Sequence, residues 1–298
     1  MSLTKSLTRS AGRLRTKKLT KNSKVLNLSE NHVEKEARYL YCVAESSVEV
    51  TLGKIGLDGN QVYTIPADQL CAVVHDCRAK PYDSDNEAEV KDWVKSHQNV
   101  LDRIMQDSRF PGLIPASFDT IIKADDDRTA TENVKYWLNG EVEALKEQLQ
   151  KVRGKEEYGV KITYDPDWLA DSIQEDSEEF RSLKEKITGK SEGKAYLYRE
   201  KLDKLRKDLI EEKKGEYISE FSAMIEPTVG EVSRDDRREQ SNEKRLLLDL
   251  SCLVDQGEYE ELGEALEKID NREGFDVKFT GPWAPYSFTD LSNPKAGN

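Results

Sequence analysis

The residues able to do chemistry are few and scattered. The 298-residue chain has three histidines and four cysteines. His75, His97 and Asp165 are the candidates for acid–base work in a cleft, but none is accompanied by a Ser, Cys or carboxylate motif that would complete a nucleophile–base pair. His97 falls on an apolar helical stripe, where a lone histidine is expected as a satisfied, partly buried core residue. Cys42, Cys71, Cys77 and Cys252 contain no Cys-x-x-Cys pair, so no zinc ligand set can be assembled from spacing, and they read as reduced core thiols. Asp125-Asp126-Asp127 lacks the glycine and downstream glutamate of a calcium loop, and reads instead as the acidic N-terminal run of a helix. Gly53-x-x-Gly56-x-x-Gly59 is followed by a strand, whereas a phosphate cradle needs a helix N-terminus, so it reads as a turn. The expectation is a protein without catalytic residue, metal, cofactor or small-molecule substrate.

The elements around these residues follow from periodicity. Tyr39–Ala44 is apolar on both faces and predicts a buried strand, followed by strands over 61–66 and 70–75. Val90, Trp93, Val94, His97, Leu101, Ile104 and Met105 recur at helical spacing from Glu87 to about Asp107, and Pro111-Gly112 ends that helix before a strand over 113–122. Val134, Trp137, Leu138, Val142, Leu145 and Leu149 predict one further helix, broken by Gly154. Tyr158–Tyr164 then alternates as a strand. Leu246–Val254, Glu258–Ile269 and Phe275–Thr280 read as strand, helix and strand.

Composition restricts the function. Hydrophobic residues make up 36% of the chain and charged residues 35%, which suits a globular protein carrying long solvated helices. Residues 1–28 hold eight Lys/Arg and no acid, against a net charge of −12 for the whole chain, so the remainder is strongly acidic and ill-suited to nucleic acid. No apolar run approaches the ~20 residues needed to cross a bilayer, and no membrane partner is expected. Residues 1–37 read as a disordered basic tail; the alternative is a basic arm that clamps an acidic partner or resembles a transit peptide. Residues 175–245 contain 36 charged residues among 71, too polar for a core and rich in helix formers. Phe180, Leu183 and Ile187, like Leu202, Leu205 and Leu209, have the spacing of a short coiled-coil seam, and the Gly189–Gly193 stretch could turn between two arms. A solvated helix with incidental leucines fits that spacing equally well.

The densest aromatic stretch closes the chain: Gly281-Pro282-Trp283-Ala284-Pro285-Tyr286-Ser287-Phe288 packs two prolines and three aromatics into eight residues. Prolines reduce the entropy lost on ordering and aromatics supply burial area, so the segment can dock without regular structure. Trp283 is expected to pack on the protein's own sheet. Tyr286, with a polar end, is expected near the surface for contact with a partner.

This ending is similar to the closing motif of the gas vesicle protein L/F family. A second block, His97, Val100 and Leu101, then Leu113-Ile114-Pro115 and Phe118-x-Thr120, resembles the family's helix-then-strand pattern, with Ser117 and Asp119 where the family usually has a basic residue and a glycine. The resemblance covers roughly residues 38–288. It implies two α+β domains, a non-enzymatic role in gas vesicle structure or assembly, binding to the shell subunit or other accessory vesicle proteins, and a location in the gas vesicle or cytoplasm. Trp283, Pro285, Tyr286 and Phe288 are the candidate partner-binding residues. A coiled-coil adaptor unrelated to vesicles would explain the charged helices but not the aromatic ending, and an enzyme with an interdomain cleft has no support from spacing.

The expected fold is α+β with two small sheet-containing domains. Residues 38–150 would form a modified ferredoxin-like domain with its first crossover helix reduced to a loop. Residues 151–290 would form a second α+β domain with charged helices, about 167–245, inserted between strands, and 291–298 a tail.

Overall fold

The computed structural model describes residues 36–188, 191–234 and 245–291. The basic segment before Glu36, most of the C-terminal tail and part of the expected turn between helical arms lie outside the described residues. The chain divides into two compact units, one of residues 1–157 with 282–298 and one of residues 158–281. From sequence, 151–290 were expected as the second domain; Pro282–Asp290 group with the first unit.

The first unit is built on strand β1 (Glu36–Glu45), with β2 (Thr51–Gly53), β3 (Val62–Ala67) and β4 (Leu70–Arg78) following it. Helix α1 (Glu87–Met105) leads to β5 (Leu113–Pro115) and β6 (Ile121–Lys123), then to α2 (Ala130–Gly140) and α3 (Val142–Val152). The sheet order is β2-β3-β4-β1-β5, with β6 also pairing with β1. Strand β1 is central and antiparallel to β4, β5 and β6, and its residues 37–44 are buried, the apolar run 39–44 and, beside it, Arg38.

The expected strand over 113–122 is two three-residue strands. They pair with opposite halves of β1, because the chain turns between them at Asp119, a non-glycine residue at φ 65°. The expected single helix after the acidic run is likewise two helices, parted at Glu141 just after Gly140, a poor helix former. Helix α2 opens on a capping box between Thr129 and Glu132, so the acidic run precedes the helix. Asp125 accepts from the N–H groups of Asp127 and Arg128 and from the Asn133 side chain.

A register shift between Leu40 and Cys42 inserts an extra residue into β1. Alternation would place Tyr39, Tyr41 and Val43 on one face. The bulge instead puts Tyr39, Tyr41 and Cys42 in the core beneath α1, and Leu40 and Val43 in the core beneath α2 and α3. The sheet is thus covered on both faces. Val100, Leu101 and Ile104 of α1 pack on one, and Val134, Leu138, Leu145 and Leu149 of α2 and α3 on the other.

The second unit centres on β7 (Lys155–Tyr164), whose alternating burial matches its alternating sequence. Helices α4 (Pro166–Asp176), α5 (Glu178–Ile187) and α6 (Glu192–Ile225) follow, then β8 (Glu231–Arg234), β9 (Arg245–Asp255), α7 (Glu260–Asp270) and β10 (Phe275–Trp283). The sheet order is β10-β7-β9-β8. Strands β8 and β9 are antiparallel; the Asp165 N–H donates to the Gly274 carbonyl and the Thr280 hydroxyl to the Gly159 carbonyl, which sets β10 antiparallel to β7. Leu169 and Ile173 of α4, Phe221 and Ile225 of α6, and Leu262, Leu266 and Ile269 of α7 form one core with Val160, Ile162, Leu250 and Cys252. The charged excursion is therefore anchored by the C-terminal turns of α6, while its opening turns carry exposed Tyr196 and Leu197. The protein is a mixed α/β fold with two antiparallel sheets, and among the described residues no helix is long and apolar enough to cross a membrane.

Candidate functional site

Bulged β1 brings two tyrosines under α1, and each meets a buried histidine. The Tyr39 hydroxyl lies 2.8 Å from His97 Nδ1, and His97 Nε2 lies 3.1 Å from the Tyr286 hydroxyl. The Tyr41 hydroxyl lies 2.8 Å from His75 Nδ1, and His75 Nε2 lies 2.9 Å from the Tyr82 hydroxyl. The result is two Tyr–His–Tyr chains side by side, with the Tyr39 ring stacked on His75 at 5.0 Å.

Each β1 hydroxyl also accepts a backbone N–H, from Asp119 to Tyr39 at 3.2 Å and from Leu57 to Tyr41 at 3.0 Å. Which member of each Tyr–His pair gives the proton is set by the ring tautomer, and the Ala116 carbonyl is a further acceptor for His97. Burial favours the uncharged rings and lowers both histidines to about 4, against a smaller upward pull on His75 from the Asp76 and Asp58 carboxylates. The same burial pushes the Tyr39, Tyr41 and Tyr286 hydroxyls up, and Tyr82 to about 12.

Two aspartates in left-handed backbone hold the rim. Asp58, at φ 53°, accepts from the Trp93 indole N–H at 2.7 Å; Asp119, at φ 65°, accepts from the Tyr82 N–H at 2.9 Å. Asp is among the few non-glycine residues that tolerate this conformation, so Asp119 can stand where the resembling family usually has glycine and add a bond that glycine lacks. Gly56 is required for a different reason: a Cβ there would lie 2.6 Å from the Tyr41 hydroxyl. The glycine loop is thus a turn shaped around the network.

The closing segment seals this site. Ala284 is buried in the α1-side core, Pro285 is buried, and Phe288 is 6% exposed. The Ser287 N–H and hydroxyl both donate to the Glu157 carboxylate at 2.8 Å. Gln148 on α3 donates to the Asp290 carbonyl at 3.1 Å and accepts from its N–H at 2.7 Å, and the Lys151 ammonium lies 5.7 Å from the Phe288 ring. Trp283 is half-buried, and Tyr286 keeps 36% of its surface while turning its hydroxyl inward to His97. Tyr286, expected near the surface, has its ring there and its polar end turned inward.

The other sequence candidates take separate positions. Asp165 caps α4, accepting from the N–H groups of Asp167 and Trp168. Cys42 and Cys71 are buried under the sheet faces and Cys252 in the second unit; burial raises the Cys42 thiol and pushes Cys71 and Cys77 up to about 12. Among the described residues no group of three His, Cys, Asp or Glu is placed to hold a metal ion. Tyr39, Tyr41 and Tyr82 went unnoticed in the sequence. The only local signal was the Tyr-x-Tyr spacing on one strand.

Residues 37–290 match the family model described as gas vesicle synthesis protein GvpL/GvpF. The chain is 30% identical over 268 residues to gas vesicle protein L1 of Halobacterium salinarum, covering 87% of this chain and 92% of that one. It is 28% identical to gas vesicle protein L of Haloferax mediterranei, covering 78% and 72%. The fold is similar to the crystal structure of the gas vesicle protein GvpF from Anabaena sp. PCC7120, with a TM-score of 0.69 at 21% identity over 87% of this chain and all of that one. This chain belongs to the GvpL/GvpF family of gas vesicle proteins.

Proposed function

We propose that the chain is a non-enzymatic accessory protein of gas vesicle formation that binds the shell subunit, other accessory vesicle proteins, or both. Family membership implies the role in vesicle formation. The observation that carries the binding reading is the docked closing segment: Pro285 and Phe288 act as buried anchors, and Trp283 and Tyr286 offer aromatic surface at a rigid, pre-ordered site. Such aromatic surface, ordered before binding, is the usual anchor of a protein interface. The non-enzymatic reading is supported by the histidines, since both ring nitrogens of His75 and of His97 are engaged by tyrosine hydroxyls.

In the same reading the first unit is a modified ferredoxin-like half whose first crossover is reduced to the 53–59 loop. The apposed helices α5 and α6 form a short coiled coil, supported by the spacing of Phe180, Leu183 and Ile187 and of Leu202, Leu205 and Leu209. The protein would act at the gas vesicle, in the cytoplasm, or in both. The test is capture of purified shell subunit by the immobilised chain, followed by its retention on intact, washed vesicles. Capture of shell or accessory protein supports the reading; absence of binding to any vesicle protein overturns it.

A further inference from the structure

The second unit carries two complementary surfaces that cannot meet within one molecule. The first is the opening part of α6. Tyr196 and Leu197 are 59% and 61% exposed, the two most exposed large apolar side chains among the described residues. Residues 192–207 around them hold six Lys/Arg against three acids, in a chain that is acidic overall. An adjacent aromatic–aliphatic pair on a solvated basic helix is a surface in want of a cover.

The second is an open cavity of about 500 Å³ between the end of α6 and the start of α7, lined by Pro227, Val229 and Val254 together with Asp255, Glu258 and Glu261. Residues 255–267 hold six acids and no Lys or Arg. Apolar and acidic side chains share the lining, and the volume accommodates a tyrosine ring and its aliphatic neighbour.

Helix α6 itself keeps the two apart. Tyr196 precedes Ile225, the last residue of the helix, by 29 positions, roughly 44 Å of helix rise. The cavity begins just past that end, at Pro227.

We infer that the Tyr196–Leu197 tip of one copy docks into the acidic cavity of a second copy, so that the chain self-associates head to tail. The contact joins two different patches. Each copy therefore retains one unused tip and one unused cavity, and the association continues into a chain or closes as a ring. Charge complementarity sets orientation and makes the association weaken with added salt.

The test is sedimentation velocity of the full chain over a concentration series at low and high salt, with two double variants. Tyr196→Ala/Leu197→Ala removes the tip and Glu258→Lys/Glu261→Lys reverses two acids of the lining; all four side chains are exposed, and unchanged near-UV circular dichroism checks that the fold is kept. The parent should associate with rising concentration, less so in high salt, and each variant should associate at least about tenfold more weakly. An equimolar mixture of the two should form a heterodimer and stop there, because only one intact tip and one intact cavity remain to pair. A monomeric parent, a variant that associates like the parent, or a mixture that forms no heterodimer would each overturn the inference; the last two outcomes would point to tip-to-tip contact or to a different face.

Discussion

His97 Nε2 and the Tyr286 hydroxyl lie 3.1 Å apart across 189 positions of sequence, and this bond ties the closing segment to the buried network of the first unit. Tyr286→Phe keeps the ring and removes the hydroxyl, so that His97 Nε2 loses its Tyr286 partner. The expected cost is about 1–3 kcal/mol, measured by urea denaturation of the full chain. A loss below a few tenths of a kcal/mol would show that the bond contributes nothing net.

The histidines give a pH signature. Both are held near 4 when folded, below the ordinary value of 6.5, so between about pH 6.5 and 4 the unfolded chain binds protons that the folded chain refuses. Stability is therefore full above about pH 6.5 and falls as the pH drops toward 4, by about 3 kcal/mol per histidine. Asp119, raised by burial, works in the opposite direction, whereas Asp107, Asp125, Glu132 and Glu220, all lowered by hydrogen bonds, begin to lose their contribution only as the pH falls to the unfolded carboxylate values, 4.5 for Glu and 3.8 for Asp, at the foot of this window. His97→Gln should flatten the slope by about half. An unchanged slope would place the acid sensitivity elsewhere.

Trp93 bridges Asp58 and Tyr82, donating its indole N–H to the former and meeting the latter edge-on at 5.3 Å. It is half-buried, so Trp93→Ala should cost about 2–3 kcal/mol, below the figure for a fully buried tryptophan. Trp93→Phe should recover most of the ring packing but not the Asp58 bond. Equal losses in the two variants would mean that the hydrogen bond outweighs the packing.

Two glycines are fixed by close approach. A Cβ at Gly56 would displace the Tyr41 hydroxyl, and one at Gly274, at φ 82°, would lie 2.2 Å from the Trp168 ring. Gly56→Ala and Gly274→Ala should each destabilise by about 2 kcal/mol or more. Gly193, with open space around its Cβ position, serves as the control and should tolerate alanine.

Much of this architecture was legible because periodicity is local. The all-apolar Tyr39–Ala44, the α1 stripe and the alternation of Tyr158–Tyr164 each encode their burial directly. The bulge in β1 left no local mark, since Tyr41 and Cys42 are both apolar enough for either face. The split of 113–122 depends on Asp119 adopting left-handed backbone, where its side chain and N–H bond to Tyr82 and Tyr39, partners distant in sequence. The pairing of His97 with Tyr286 is a product of tertiary contact alone, and for that reason the aromatic ending could be recognised as a docking segment while its site on the first unit could not.

The central claim is that the ordered closing segment presents a binding surface for a vesicle protein. It is tested most directly by titrating labelled shell subunit against the parent, Trp283→Ala and Tyr286→Phe, all well below their melting temperatures. The account predicts that Tyr286→Phe, which keeps the exposed ring, binds like the parent despite melting lower, and that Trp283→Ala binds at least about tenfold more weakly. Parent-like binding by Trp283→Ala would contradict it.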